Sequence, residues 1–323
     1  MAVILMRIPA PAKINLHLRV GPPGGDGFHP LLSWMVTVGL FDTLTLVRRP
    51  PIRAPDAPQA PERSGGGILT LSCDDPNLPV DGRNLVVGAA TALADSLSHI
   101  GKDVTDDGMT PVSAFLVKRI PSGAGLGGGS SDAAAALIGL NRMWKLDFDA
   151  SRLSTIAAGL GSDVPFFLRG PSSICGGRGE VVRPTASPDI CRWAVLVLPK
   201  IGLPTPVVYR RFDELDLGRQ TERAGGLSVE PDWLAWSKLP AEEILPHLRN
   251  DLEPAAFDLH PELAELRQLL QRHLGRIVRM SGSGSSLFTL CDDAEKAHGL
   301  AQQAHEVSGI AAMAVPVAPK IEM

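Results

Sequence analysis

From Ala12 to Val20 the chain alternates without a break: Ile14, Leu16, Leu18 and Val20 fall on one side, Lys13, Asn15, His17 and Arg19 on the other. A period of two is that of an extended strand with one apolar face, so residues 12–20 are expected as a half-buried strand. The turn-rich GPPGGDG (21–27) ends it. Alternating β-branched residues predict a second strand over 40–47. Residues 48–67, rich in Pro, Arg and Gly and without periodicity, read as an exposed excursion before strand-like ILTLS. Helical spacing with many alanines marks 84–97, with Asn84 as the N-cap. A strand over 113–120, a glycine-rich loop, an alanine-rich helix over 133–140 and a helix over 153–160 follow; residues 171–184 read as strand-turn-strand.

A second unit opens with WAVLVLP at Trp193. Residues 211–240 read as charged and irregular. Helices are expected at 241–248 and 261–274, strand-turn-strand at 276–291, then a helix over 294–305 and a strand over 309–317. Helices and strands mixed in this order predict an α+β chain of two domains, 1–188 and 189–323.

Composition narrows this. Of the 323 residues 44% are hydrophobic and 20% charged, ample for buried cores. A net charge of -4 gives no pull toward nucleic acid or anionic membrane. The opening MAVILM is too short and lacks the basic flank of a secretory signal, and no stretch reaches the roughly 20 apolar residues of a membrane span. Cys73, Cys175, Cys191 and Cys291 are scattered without the spacing of a zinc or redox motif, as suits reduced thiols in a cytoplasmic protein.

The chemistry concentrates in PSGAGLGGGSSD, Pro121 to Asp132. Gly123, Gly125, Gly127, Gly128 and Gly129 stand between a strand and a helix. Successive glycines let backbone N–H groups turn toward phosphate oxygens without Cβ obstruction. The helix that follows offers its free N–H groups to the same anion, and Ser130 or Ser131 can add a phosphate bond or a magnesium ligand. A P-loop would need a lysine where Gly129 stands. A dinucleotide fingerprint matches at Gly123, Gly125 and Gly128, but Asp147 and Asp149 end no apolar strand, so hydride transfer is disfavoured. Asp132 reads either as a first-turn acid favoured by the helix dipole or as an outer-sphere magnesium contact.

The pattern P-x-G-x-G-L-G-x-G-S-S resembles the nucleotide-phosphate loop of the GHMP kinases. PAKINLHL (11–18) and SGSGSSLF (281–288) are similar to the first and third motifs of that superfamily, in the same order. DGFH (26–29), GSDVPFF (161–167) and PTPVVY (204–209) resemble the branch acting on a cytidine-diphosphate substrate. The resemblance implies an N-terminal half like domain 2 of ribosomal protein S5 and a ferredoxin-like C-terminal half. It implies ATP and Mg2+, with substrate in the cleft between the halves.

It also implies roles. Asp163 becomes the general base toward the substrate hydroxyl, its plain alternative being an N-cap before Val164 and Pro165. Lys13 becomes the partner that orients Asp163 and stabilises developing charge, where a lone strand lysine would otherwise face solvent. Asn84 and the loop before it resemble the adenosine-side wall, and Pro121, the five glycines, Ser130 and Ser131 the rest of the ATP site. Asn15, Phe28, His29 and Tyr209 resemble the substrate-binding residues, Phe28 and Tyr209 stacking on the cytosine and His29 bonding its edge; the alternative for each is ordinary packing. Cytidine diphosphate methylerythritol is the expected small-molecule partner, with no nucleic acid or membrane, for a monomer or weak homodimer. A kinase for homoserine or a mevalonate derivative, or an inactive nucleotide-binding relative, are the competing readings.

Overall fold

The structure, a computed structural model, describes residues 3–48, 68–98, 110–190, 192–223 and 225–319. Most of the 48–67 excursion, and Cys191, lie outside them. The chain begins with a long hairpin. β1 (Ile4–Val20) pairs antiparallel with β2 (Leu31–Arg48), from Ile4 opposite Arg48 to Val20 opposite Leu31. Both strands outrun their expected lengths. The opening apolar stretch joins β1 from Ile4, and LLSWMVTVG (31–39), which does not alternate, extends β2 because it is buried on both faces.

β3 (Leu69–Cys73), β4 (Val112–Val117), β5 (Ser172–Gly176) and β6 (Val181–Pro184) complete a six-stranded sheet in the order β3-β4-β2-β5-β6, with β1 on β2. α1 (Leu85–Ser98), α2 (Gly128–Met143), α3 (Ala150–Leu160) and α4 (Val164–Arg169) belong to this half. Buried alanines at 133–136 let α2 lie close on β1. Gly139 carries this furthest, since a Cβ there would meet Ile8 Cδ1 at 2.3 Å and Leu46 Cδ1 at 2.6 Å. At the other end of α2, a Cβ on its cap Gly127 would lie 3.1 Å from Lys13 Cγ of β1.

The second sheet, β10-β7-β9-β8, is built from β7 (Trp193–Val197), β8 (Arg279–Met280), β9 (Leu287–Cys291) and β10 (Ala312–Pro316). Its strands run in the spatial order fourth, first, third, second, the ferredoxin-like arrangement. α10 (Pro261–Leu274) and α11 (Ala294–Ser308) pack on one another and share its core. The fold is α+β in two domains.

Three expectations are corrected. Residues 211–240 are not irregular: α5 (Thr205–Glu214), α6 (Leu217–Arg223) and α7 (Trp233–Ser237) occupy much of them. Their short, charged helices carry too few apolar positions for periodicity to register. The helix expected at 241–248 is only α8 (Ala241–Ile244) and a 3₁₀ turn that takes in Pro246, which denies the helix a donor; α9 (Glu253–Leu259) follows unforeseen. Most telling, β1 is not half-buried: Lys13, Asn15, His17 and Arg19 are all under 9% exposed. The C-terminal half covers their face. Trp233 and Trp236 of α7 meet the His17 ring edge-on at 5.7 and 5.4 Å.

Candidate active site

The three glycine- and lysine-bearing motifs close on one cavity of about 420 Å³, within the size range of small-molecule sites. The first is β1. Lys13 Nζ donates to Asn15 Oδ1 at 2.6 Å, Asn15 Nδ2 donates to Ser33 Oγ at 2.8 Å, and that hydroxyl donates to His17 O. This relay holds the ammonium at the cleft without spending a charge on it.

The second is the glycine loop. Lys13 N donates to Leu126 O at 2.9 Å, fixing the loop to β1. α2 starts at Gly128, five residues before the expected helix, so Gly128, Gly129 and Ser130 form its first turn. Its cap, Gly127, sits in the left-handed region (φ 69°) and supplies no side-chain bond, leaving the helix N–H groups free for an anion. The third motif, 281–286, interlocks with this loop. Ser281 Oγ donates to Gly125 O at 3.0 Å, and Ser286 N to Ala124 O at 3.1 Å. Gly125 (φ 75°) is obligatory here, because a Cβ would lie 2.1 Å from Ser281 O.

Asp163 precedes α4, yet its side chain makes no capping bond. It points instead to Lys13, Oδ2 to Nζ 3.4 Å, with about a third of its side chain exposed. A carboxylate beside an ammonium at the cleft, near the N-terminus of a helix, can accept a proton from a bound hydroxyl while the cation stabilises the oxygen.

The sequence-expected ATP residues divide. Pro121, Gly123, Gly125, Gly127, Gly128, Gly129 and Ser130 line the cleft. Ser131 does not: it is buried, its hydroxyl lacks a partner among the described residues, and it borders a separate pocket with Thr37 and Phe167. Asn84 caps α1 by accepting from Val86 N at 3.0 Å, while its neighbour Leu85 reaches the cleft.

The expected substrate residues divide too. Asn15 and Tyr209 line the cleft. His29 is buried beside it, its Nδ1 2.9 Å from Gly21 O, its Nε2 3.4 Å from Asp213 and its ring 4.9 Å from that of Tyr209. Burial, then the Asp163 carboxylate, pushes the Tyr209 phenol up, so it stays neutral. Phe28 stands apart, 53% exposed under the Arg178 guanidinium, with no ring contact to Tyr209 among the described residues.

Sequence reasoning missed Lys118. It leaves the end of β4 and lines the cleft, but binds Asp42 and Asp132, the latter at 2.7 Å. Asp42 also accepts from Arg119 N at 2.5 Å and Ile120 N at 2.9 Å. The first-turn reading of Asp132 gives way to this: the residue lies beyond the first turn of α2, as a buried partner of Lys118. Burial raises the Asp132 carboxyl to about 7, Lys118 opposing and Asp42 reinforcing the shift. Burial alone would depress the Lys118 ammonium, but the two carboxylates hold it above its usual value. A charged pair directly before a glycine loop (Lys118, Arg119) was the available signal. Among the described residues no group of three His, Cys, Asp or Glu is assembled to hold a metal, and no helix is long and apolar enough to cross a membrane.

Comparison with known proteins bears on this site. Residues 84–171 match the GHMP kinase N-terminal domain and residues 239–307 the GHMP kinase C-terminal domain. A 4-diphosphocytidyl-2-C-methyl-D-erythritol kinase of Nocardioides sp. is 40% identical over 298 residues, 90% of each chain. One from Synechococcus elongatus is 36% identical over 93% of this chain and 91% of its own. The crystal structure of a 4-(cytidine 5'-diphospho)-2C-methyl-D-erythritol kinase, 32% identical, superposes with a TM-score of 0.71 over 98% of this chain and all of that one. A homoserine kinase from Cytophaga hutchinsonii, 16% identical with a TM-score of 0.64, shares the fold.

Proposed function

The chain belongs to the GHMP kinases, in the 4-diphosphocytidyl-2-C-methyl-D-erythritol kinase family, and on that premise we propose how its residues carry out the reaction. The enzyme transfers the γ-phosphoryl group of ATP to the 2-hydroxyl of 4-diphosphocytidyl-2-C-methyl-D-erythritol, a step of the non-mevalonate isoprenoid route. In-line transfer needs a placed hydroxyl, a proton acceptor and neutralisation of the transferring oxygens.

The observation that carries the assignment of roles is the Lys13–Asp163 pair facing the glycine loop. Asp163 takes the hydroxyl proton. Lys13, held by Asn15, orients that carboxylate and stabilises the oxygen as it loses its proton. The free N–H groups at the start of α2 receive the phosphates, and they fit because Gly127 caps the helix with no side chain in the way. Mg2+, which lowers the charge on the phosphates, would be met by the Ser130 hydroxyl, which lines the cleft at the start of α2. Tyr209 stacks on the cytosine and His29 bonds its edge, supported by their adjacency at 4.9 Å. The exposed Phe28 reaches the base only by moving in from the 24–28 turn.

The test is ATP turnover against the cytidine substrate, homoserine and mevalonate. Turnover confined to the first is expected; preference for either other alcohol overturns the substrate assignment. Lys13→Ala, measured on the cytidine substrate, should lower kcat far more than it weakens binding of an ATP analogue. Near-normal turnover in this variant removes Lys13 from the mechanism.

A further inference from the structure

On the other side of the 249–253 segment lies a second cavity, of about 590 Å³. It shares no lining residue with the catalytic cleft. Three arginines, Arg249, Arg267 and Arg279, border it with two carboxylates, Asp251 and Glu253, leaving a cation in excess.

The carboxylates are already satisfied from within. Asp251 accepts from Val20 N and Thr221 Oγ1, each at 3.0 Å, besides pairing with Arg249. Glu253 accepts from Met280 N at 2.8 Å and from Arg267 at 3.0 Å. Of the guanidiniums, Arg249 is matched by Asp251, to which its Nε also donates at 2.8 Å, but the other two are less fully paired. Arg279 reaches Glu253 only at 3.9 Å and Leu245 O only at 3.5 Å, with its side chain 20% exposed. Its Nε and that of Arg267 are buried without a partner among the described residues. A guanidinium carries five donors and matches phosphate in a two-pronged contact. Arg267 and Arg279, largely desolvated and crowded beside the half-exposed Arg249, are under-neutralised, and an anion relieves that deficit.

The surroundings carry the same field. Burial, then the charges of Arg249 and Arg19, keep His17 neutral by lowering its pKa to about 3. The Phe257 ring, 4.6 Å under the Arg267 guanidinium, adds a flat apolar wall.

We propose that this pocket is a binding site for a small phosphate or diphosphate anion, distinct from the ATP and substrate sites, with Arg249, Arg267 and Arg279 as its ligands. Free anion and organic ester share that chemistry; the Phe257 wall adds contact for an ester.

The experiment is titration calorimetry of the full chain with inorganic pyrophosphate, the catalytic cleft being filled beforehand with a non-hydrolysable ATP analogue. Saturable one-to-one binding is expected, weakened by salt and at least tenfold weaker in Arg279→Gln. Should that variant not fold, Arg249→Gln, altered at a half-exposed side chain, is read in its place. Absence of saturable binding, binding abolished by the analogue, or affinity unchanged in the folded variant overturns the proposal. n-Propyl diphosphate binding tighter than pyrophosphate identifies the ester as the ligand, and equal affinities identify the free anion; either supports the site.

Discussion

Two buried lysines touch consecutive glycines of the same loop, and their settings differ. A Cβ on Gly127 would lie 3.1 Å from Lys13 Cγ, and one on Gly128 would lie 3.3 Å from Lys118 Nζ. Lys118 is clasped by two carboxylates, Asp42 at 0% and Asp132 at 3% exposure, so its charge is spent inside the protein. Lys13 has a neutral amide at 2.6 Å and one carboxylate at 3.4 Å that remains partly open to the cleft. With the roles proposed above, burial alone thus does not distinguish the reacting cation from the scaffolding one. What distinguishes them is whether the counter-charge is itself accessible to substrate.

The comparison breaks most readily at Asp163. Asp163→Asn keeps the shape but removes the proposed proton acceptor, so kcat should fall about 10²–10⁴-fold, the usual worth of a general base. Binding of an ATP analogue, followed by calorimetry, should change little. If turnover survives, the pair is structural and the contrast between the two lysines collapses.

Lys118→Met tests the other side. It strands two buried carboxylates, and breaking a buried pair in this way costs about 3–5 kcal/mol. Urea denaturation should show that loss. An unchanged midpoint would mean that the carboxylates find other donors.

At the substrate end, Tyr209→Ala should weaken binding of the cytidine substrate by about 1–3 kcal/mol, roughly 5–150-fold in KM, with a smaller change in kcat. Equal losses in KM for ATP would place Tyr209 on the nucleotide instead.

A last test concerns pH. Asp132 titrates near 7 in the folded protein and near 3.8 as a free side chain. Between those values the folded state holds a proton that the unfolded state has released, so this group makes stability fall as pH rises from about 4 to 7. Denaturation at pH 5 and pH 8 should show a smaller loss in Asp132→Asn than in the unaltered chain. Identical losses would shift the titration to another group.

Much of this was legible in advance. The loop from Pro121 to Asp132 stood out between a strand and a helix, and it does line the cleft at the start of α2, because its glycines adopt left-handed turns that other residues resist. The alternation over 12–20 gave a strand because period two has no other common source. Lengths were less legible: β2 ran on through 31–39 where burial on both faces erased alternation. Helices α5 to α7 hid in a charged stretch whose apolar positions are few.

The sequence by itself determined which residue types were available in the glycine loop, and the order of the three motifs, because local turn chemistry and periodicity are written in neighbouring residues. Only the tertiary structure decided which charges meet. Asp163 lies 150 positions from Lys13 yet pairs with it, and Asp42 and Asp132 close on Lys118 from 76 and 14 residues away. The polar row of β1 looked solvent-facing until the second half of the chain covered it, sealing Lys13, Asn15, His17 and Arg19 inside. Burial and pairing depend on what packs from a distance, and a local pattern has no access to that.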